Sequence, residues 1–229
     1  MPFQGLPERV AEIRGRVDAA VQRGGHGQAV RLIAVTKMHG ADAVDAAWDA
    51  GVRDVGENKV QEALDKQPQV AARAAEMRWH LIGHLQRNKV KHLGHFALLH
   101  SMDSGRLADA VHEFGKARGT PMDVLVQVNI VGETTKGGYE PSMLQAEADR
   151  LQTLDGLRVL GVMTMAPLDA DEATLRQVFR GARAAREVLA KAGHLATELS
   201  MGMSGDFEVA VEEGATMVRV GTVLFGARA

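Results

Sequence analysis

The chain has 229 residues, with 27 basic and 29 acidic side chains, a formal charge of −2 and a pI near 6.5. At this size about 70% of the surface of the extended chain is buried on folding, enough for one sizeable core. The near-neutral balance supplies no global field toward nucleic acid or an anionic membrane. Cysteine is absent, which excludes disulfides, thiolate metal sites and a cysteine nucleophile, and fits a reducing, cytoplasmic setting. Glu8, Arg9, Glu12, Arg14, Arg16 and Asp18 crowd the start of the chain and leave no room for the apolar stretch of a signal peptide. No run approaches the roughly eighteen apolar residues of a membrane span. Glycine is plentiful, 25 of 229 residues, against 4% aromatics, which points to tight connections or close backbone approach to a ligand.

Leu6, Val10, Ile13, Val17 and Val21 fall on one face of an opening helix, with Pro7 in its first turn and Gly24-Gly25 at its end. Strand candidates then follow at residues 31–36, 53–56, 79–82, 97–101, 123–129, 158–164, 197–201 and 216–220, of which 123–129 and 158–164 are the clearest, rich in β-branched residues and bounded by turn signals. Helical patterns separate them. One carries Val44 and Trp48 and stops at Gly51; another carries Leu107, Val111 and Phe114 with Ser104 as its N-cap. Pro141 opens a third through Leu144, Ala148 and Leu151, and the longest runs over residues 171–193. Alternating strands and helices imply an α/β fold with a parallel sheet. Eight units in about 200 residues fit a compact (β/α)8 TIM barrel better than an open doubly wound sheet. The whole chain, residues 1–229, is expected to form one such domain, with the N-terminal helix covering the place where the last strand has almost no chain left for a helix of its own.

In such a barrel the reactive groups sit where strands end. That rule selects Lys37, Glu57, Asn58, Gly83-His84, Asn129, residues 164–167, residues 200–205 and Gly221-Thr222. Lys37 emerges straight from an apolar strand, where desolvation favours a usable amine for Schiff-base chemistry; a lysine that snorkels to solvent is the alternative. Residues 200–205 (SMGMSG) and Gly221-Thr222 offer hydroxyls and flexible backbone after strands seven and eight, where barrels commonly seat phosphate. Two connecting turns are the alternative. Arg219, inside the last strand on the same face as Met217, needs a buried partner: a carboxylate, or the ring nitrogen of a cofactor. Met163, Met165, Met201 and Met203 suit either ring packing or ordinary core. A lysine on strand one beside an anion cup at strands seven and eight is the layout expected for pyridoxal 5′-phosphate.

The strings 34–37 (AVTK), 56–58 (GEN), 79–89 (WHLIGHLQRNK), 199–204 (LSMGMS) and 219–222 (RVGT) resemble, in order, those of the pyridoxal-phosphate homeostasis proteins, a single-domain version of the alanine-racemase N-terminal barrel. The resemblance runs from about residue 6 to the C-terminus. It implies that the chain binds pyridoxal 5′-phosphate as a cofactor carrier, buffer or donor without established catalysis. It implies further that Lys37 is the internal aldimine lysine and that Arg219 faces the pyridine nitrogen. By the same resemblance Ser200, Ser204, Gly221 and Thr222 are phosphate ligands, Asn58 and His80 line the pocket, and Lys136 takes part in cofactor handling. Met38-His39-Gly40 stands where relatives often have a lysine or proline, and Leu81 replaces a commoner phenylalanine or methionine.

Three similarities are superficial. Residues 132–138 (GETTKGG) lack the Gly-Lys-Ser/Thr of a P-loop. Six of nine histidines fall between His80 and His112, but without the spacing or acidic partners of a metal set, so no metal is expected. Arg87, Lys89 and Lys91 lack interleaved aromatics and read as a solvated face, not a nucleic-acid contact. The competing function is a pyridoxal-phosphate-dependent amino-acid racemase, which needs proton donors on both faces of its substrate. Racemases of this type take one from a tyrosine of a second domain, and the one tyrosine here is Tyr139. The carrier is therefore the expectation, as a monomer with apo-enzymes as its partners, and a phosphosugar aldolase is third.

Overall fold

Short runs of aliphatic and β-branched residues, each followed by enough chain to cross back over the sheet, are able to pair in parallel. In the computed structural model, which describes residues 3–132 and 137–226, eight such runs close into one parallel barrel in sequential order. They are β1 (Arg31–Val35), β2 (Asp54–Glu57), β3 (Arg78–Leu81), β4 (Leu98–Met102), β5 (Met122–Gln127), β6 (Leu157–Met163), β7 (Glu198–Ser200) and β8 (Met217–Val220). Each lies within two residues of its predicted span. Closure is made by β8 on β1, with Arg219 opposite Ile33. Ile33, Leu98, Leu125, Met163 and Met217 point inward and meet inside the barrel. A larger apolar layer, including Ala34, Val55, Leu99, Val124 and Leu199, lies between sheet and helices. Period-two alternation thus serves two cores from one set of strands.

The outer ring comprises α1 (Leu6–Gly24), α2 (Ala41–Asp49), α3 (Val60–Lys66), α4 (Gly105–Arg118), α5 (Leu144–Leu151), α6 (Glu172–Lys191), α7 (Phe207–Glu212) and the single turn α8 (Thr222–Phe225). Helix α1 buries Leu6, Val10, Ile13, Val17 and Ala20 and ends at Gly25, which takes a φ of 68° and returns its N–H to Val21 O. At about 1.5–3 kcal/mol for each large side chain removed from water, that stripe is what holds the helix in place. Its seat is the neighbourhood of β8. Arg16 meets Glu208 at 2.9 Å, Arg23 meets Glu212 at 2.5 Å, and Arg9 Nε donates to Leu224 O at 2.7 Å. The N-terminal helix therefore covers the gap that α8 is too short to fill.

Two local expectations need correction. The helical pattern after β3 is a 3₁₀ run, Arg87–His95, instead of an α-helix. Val90, Leu93 and Phe96 are spaced three apart and all buried, and three residues per turn stacks them on one face. Ser104 does stand at the N-cap of α4, but its hydroxyl bonds Asp103 Oδ1 at 3.1 Å and caps no backbone N–H. At α6 the cap is made by Asp171, which accepts from Thr174 N at 2.8 Å. Among the described residues, no helix is long and apolar enough to cross a membrane.

Candidate functional site

The C-terminal ends of the strands open into a cavity of about 940 Å³, within the range of small-molecule sites. Six of the eight residues expected at a ligand line it: Lys37, Asn58, Ser204, Arg219, Gly221 and Thr222. His80 and Ser200 do not. Both are buried inside the barrel, His80 against Asp54 and His100, and Ser200 between His100 and Arg219. Their side chains therefore lie off the cavity wall, unlike those of the other six. Lys136 lies outside the described residues.

Lys37 is set by its neighbours on both sides. Thr36 continues β1 by donating its N–H to Gly56 O at 3.2 Å. Its hydroxyl donates to Glu57 Oε1 at 2.6 Å, and its carbonyl accepts from Lys66 Nζ at 2.8 Å. Lys66 Nζ also meets Glu57 Oε1 at 2.7 Å. On the other side, Met38 takes a φ of 65° and donates its N–H to Glu62 Oε2 at 3.2 Å. A left-handed turn at a residue with a Cβ is held only where surroundings over-determine it. The strand end and that turn fix the backbone from which Lys37 projects. Glu57 is fully buried. Burial pushes its carboxyl above the usual range, against the lowering effect of the bonds from Lys66 and Thr36.

Asn58 is placed by contact with Gly83, whose backbone passes so close that a Cβ there would overlap the Asn58 backbone. Gly83→Ala is expected to cost about 1–3 kcal/mol, as overpacking does, and to shift Asn58 from the cavity wall. Urea unfolding reads the first effect and ligand titration the second.

The opposite wall is built from the loops after β7 and β8. Gly202 takes a φ of 91°, where a Cβ would come within 2.9 Å of Phe207 Cα, and this close approach folds the loop onto α7. Gly202 O accepts from Arg219 N at 3.0 Å, and Gly221 N donates to Ser204 Oγ at 3.4 Å. These two bonds lock the loops side by side, with Ser204, Gly221 and Thr222 on one corner of the cavity. Asp206 also lines the cavity and accepts from Met203 N at 2.5 Å. Burial raises its carboxyl above the ordinary range, in opposition to that bond and to the nearby Arg219 charge.

Arg219 supplies the cation of this wall. It is 4% exposed and donates to Ser200 Oγ at 2.5 Å and Thr164 O at 3.0 Å. Among the described residues no carboxylate comes within ion-pair distance, so the carboxylate partner weighed from the sequence is not what holds it. Burial lowers the guanidinium to about 10, countered in part by Asp206, and it stays charged at neutral pH. Of the four alternating methionines, Met165 and Met203 line the cavity, whereas Met163 and Met201 are core. Gln127, His84 and Asp103 also line it. Gln127 Nε2 donates to Gly137 O at 2.7 Å, and His84 Nδ1 lies 2.8 Å from Asp103 Oδ2. Strand-end position already marked His84; Gln127 and Asp103 carry no local signal in the sequence.

The donor set is an amine on one wall, hydroxyls with a backbone amide on the other, and a buried guanidinium between the strands below. It fits a planar ligand that carries a carbonyl and an anionic group.

Comparison with known proteins points the same way. Residues 10–229 match the family described as "Alanine racemase, N-terminal domain". The pyridoxal phosphate homeostasis protein of Aquifex aeolicus is 40% identical over 224 residues, covering 96% of this chain and 97% of that protein. The structure of PipY from Synechococcus elongatus with pyridoxal phosphate (PLP) bound superposes with a TM-score of 0.85 at 38% identity, covering 96% of this chain and 100% of PipY. Alanine racemase from Corynebacterium glutamicum shares the fold, with a TM-score of 0.70 at 18% identity over 97% of this chain and 61% of the racemase.

Proposed function

The chain belongs to the family of the alanine racemase N-terminal domain, and from that premise we propose that its cavity seats pyridoxal 5′-phosphate in a homeostasis protein. The observation that carries the reading is the gathering of Lys37, the Ser204–Gly221–Thr222 corner and Arg219 around one cavity. When bound, pyridoxal phosphate supplies an aldehyde, a phosphate dianion and a ring nitrogen. Lys37 Nζ is the covalent attachment point. The Ser204 and Thr222 hydroxyls, with the Gly221 backbone, hold the anion, and Arg219 directs its charge at the ring. A fixed cation there opposes protonation of the ring nitrogen and weakens the ring as an electron sink. Asn58 lines the wall beside Lys37. Ser200 and His80 support Arg219 from below without touching the ligand.

The protein binds pyridoxal phosphate as part of its homeostasis and is not a racemase. The relatives that resemble it over nearly their whole length are named for homeostasis, and the racemase likeness is one of fold. Tyr139 is no substitute for a racemase's catalytic tyrosine. Its hydroxyl donates to Glu147 Oε1 at 2.8 Å, and burial together with that carboxylate raises it far above the usual phenol range. The reading extends to one barrel domain over residues 1–229, monomeric and cytoplasmic, that hands its cofactor to apo-enzymes. Mixing the loaded full chain with an apo pyridoxal-phosphate enzyme is expected to restore that enzyme's activity, with no turnover of L-amino acids by the chain alone. Absence of transfer would remove the donor role, and robust racemisation would reverse the assignment.

A further inference from the structure

Below the cavity the barrel interior holds polar groups that no ligand contact explains. Arg78 Nη2 donates to Asp54 Oδ2 at 2.6 Å, and Asp54 Oδ1 lies 2.8 Å from His80 Nε2. His80 Nδ1 is 2.9 Å from His100 Nε2, and His100 Nδ1 is 2.8 Å from Ser200 Oγ. Ser200 Oγ accepts from Arg219 Nη1. Strands β2, β3, β4, β7 and β8 each contribute one residue, and the five form an unbroken line from the N-terminal end of the barrel to the cavity. None is more than 4% exposed.

The protons on this line run one way. A guanidinium can only donate and an ionised carboxylate can only accept, so the two ends set the direction. Asp54 is held below its ordinary range: bonds from His80 and Arg78 overcome the burial that opposes ionisation. His80 Nε2 must therefore carry a proton. Burial disfavours the charged form of both rings, and His100 is further opposed by His80 and Arg219. A neutral His80 presents Nδ1 as an acceptor, which requires the proton of His100 on Nε2. His100 Nδ1 then accepts from the Ser200 hydroxyl, whose oxygen receives Arg219. Every donor in the line has one acceptor, and the buried cation at the cavity is matched by a buried anion at the far end.

We propose that Asp54, His80 and His100 are positioning residues that act through Ser200 to fix how Arg219 presents its charge to the cavity. The role rests on the reading of that cavity as the seat of pyridoxal phosphate; the direction of the line does not. Reversing the bond at Asp54 reverses the preferred tautomer of His80, then of His100, and removes the acceptor that the Ser200 hydroxyl needs to keep its oxygen turned to Arg219. A change at Asp54 is thereby felt at a residue it does not touch.

The test uses the full chain with ¹⁵N-labelled histidines, with and without pyridoxal phosphate. Both rings are expected to be neutral with the proton on Nε2 at neutral pH, where burial disfavours their charged forms, in either state. Asp54→Asn is expected to mix or invert the tautomers of both rings, shift the absorption of bound pyridoxal phosphate and weaken its binding by about tenfold, the weight of one charge-assisted bond. Ser200→Ala, which cuts the line beside Arg219, is expected to give the same weakening while His80 keeps its Nε2 proton, so the claim survives if Asp54→Asn fails to fold. A charged or Nδ1-protonated ring in the unsubstituted protein would overturn the proposal and leave the cavity reading intact. So would a folded Asp54→Asn protein with an unchanged His100 tautomer and unchanged affinity. Intact tautomers in a chain that binds no pyridoxal phosphate would overturn the cavity reading, and with it the role of the line.

Discussion

Lys37→Ala is expected to abolish covalent capture of pyridoxal phosphate and to weaken its retention by about a hundredfold or more, equivalent to roughly 3 kcal/mol. The size of the effect follows from what remains. Ser204, Gly221, Thr222 and Arg219 still line the cavity and still meet an anion and a ring, so residual binding is reversible and polar. What disappears is the one covalent bond to the ligand. Because Thr36 and Met38 are held by Glu57, Lys66 and Glu62 through groups outside the Lys37 side chain, the variant should fold normally. Its melting temperature should match that of the unsubstituted chain while the visible absorbance of the loaded protein is lost. An unchanged spectrum in Lys37→Ala would sink the assignment of the attachment point.

Lys66→Ala should have the largest effect on stability, about 3–5 kcal/mol, as expected when one partner of a buried ion pair is removed. Glu57 is fully buried, and its Oε2 has no protein partner among the described residues. Without Lys66, Oε1 keeps only the Thr36 hydroxyl, and the Thr36 carbonyl loses its donor as well. The cost depends on pH. The Glu57 carboxyl is already raised by burial, and loss of the ammonium raises it further. A group with a raised folded-state value favours the folded chain when protonated and loses that contribution as pH rises through the raised value. The deficit of Lys66→Ala is therefore expected to shrink in mild acid and to be greatest near neutrality and above. Glu57→Gln in the same background should recover part of it by removing the unpaired charge. Urea unfolding across pH measures all three; a flat deficit would show that the pair contributes packing alone. The strand end that carries Lys37 rests on this pair, so the variant should also bind pyridoxal phosphate more weakly.

Much of this was legible in the sequence because barrel strands are short, apolar and regularly spaced. Lys37 stood out by following five apolar or β-branched residues, and Arg219 by sharing a face with Met217. Depth along the barrel axis was not legible. Ser200 ends β7 as Lys37 follows β1, yet Arg219 crosses above it, and whether a strand-end side chain tops the barrel or lies beneath another depends on strand stagger, which no local pattern encodes. The depth of His80 was hidden for the same reason. His100, missed altogether, carried a signal that could have been used: it shares the inward parity of Leu98 on β4, and a polar residue at such a position needs an inward partner. The 3₁₀ run over Arg87–His95 was readable too, from the three-residue spacing of Val90, Leu93 and Phe96.

The central claim is that this cavity holds pyridoxal phosphate through Lys37. Borohydride reduction of the loaded full chain, followed by peptide mapping, tests it most directly. One stable adduct, on the peptide carrying Lys37, is the predicted result. An adduct confined to another lysine, or none after loading, would contradict it.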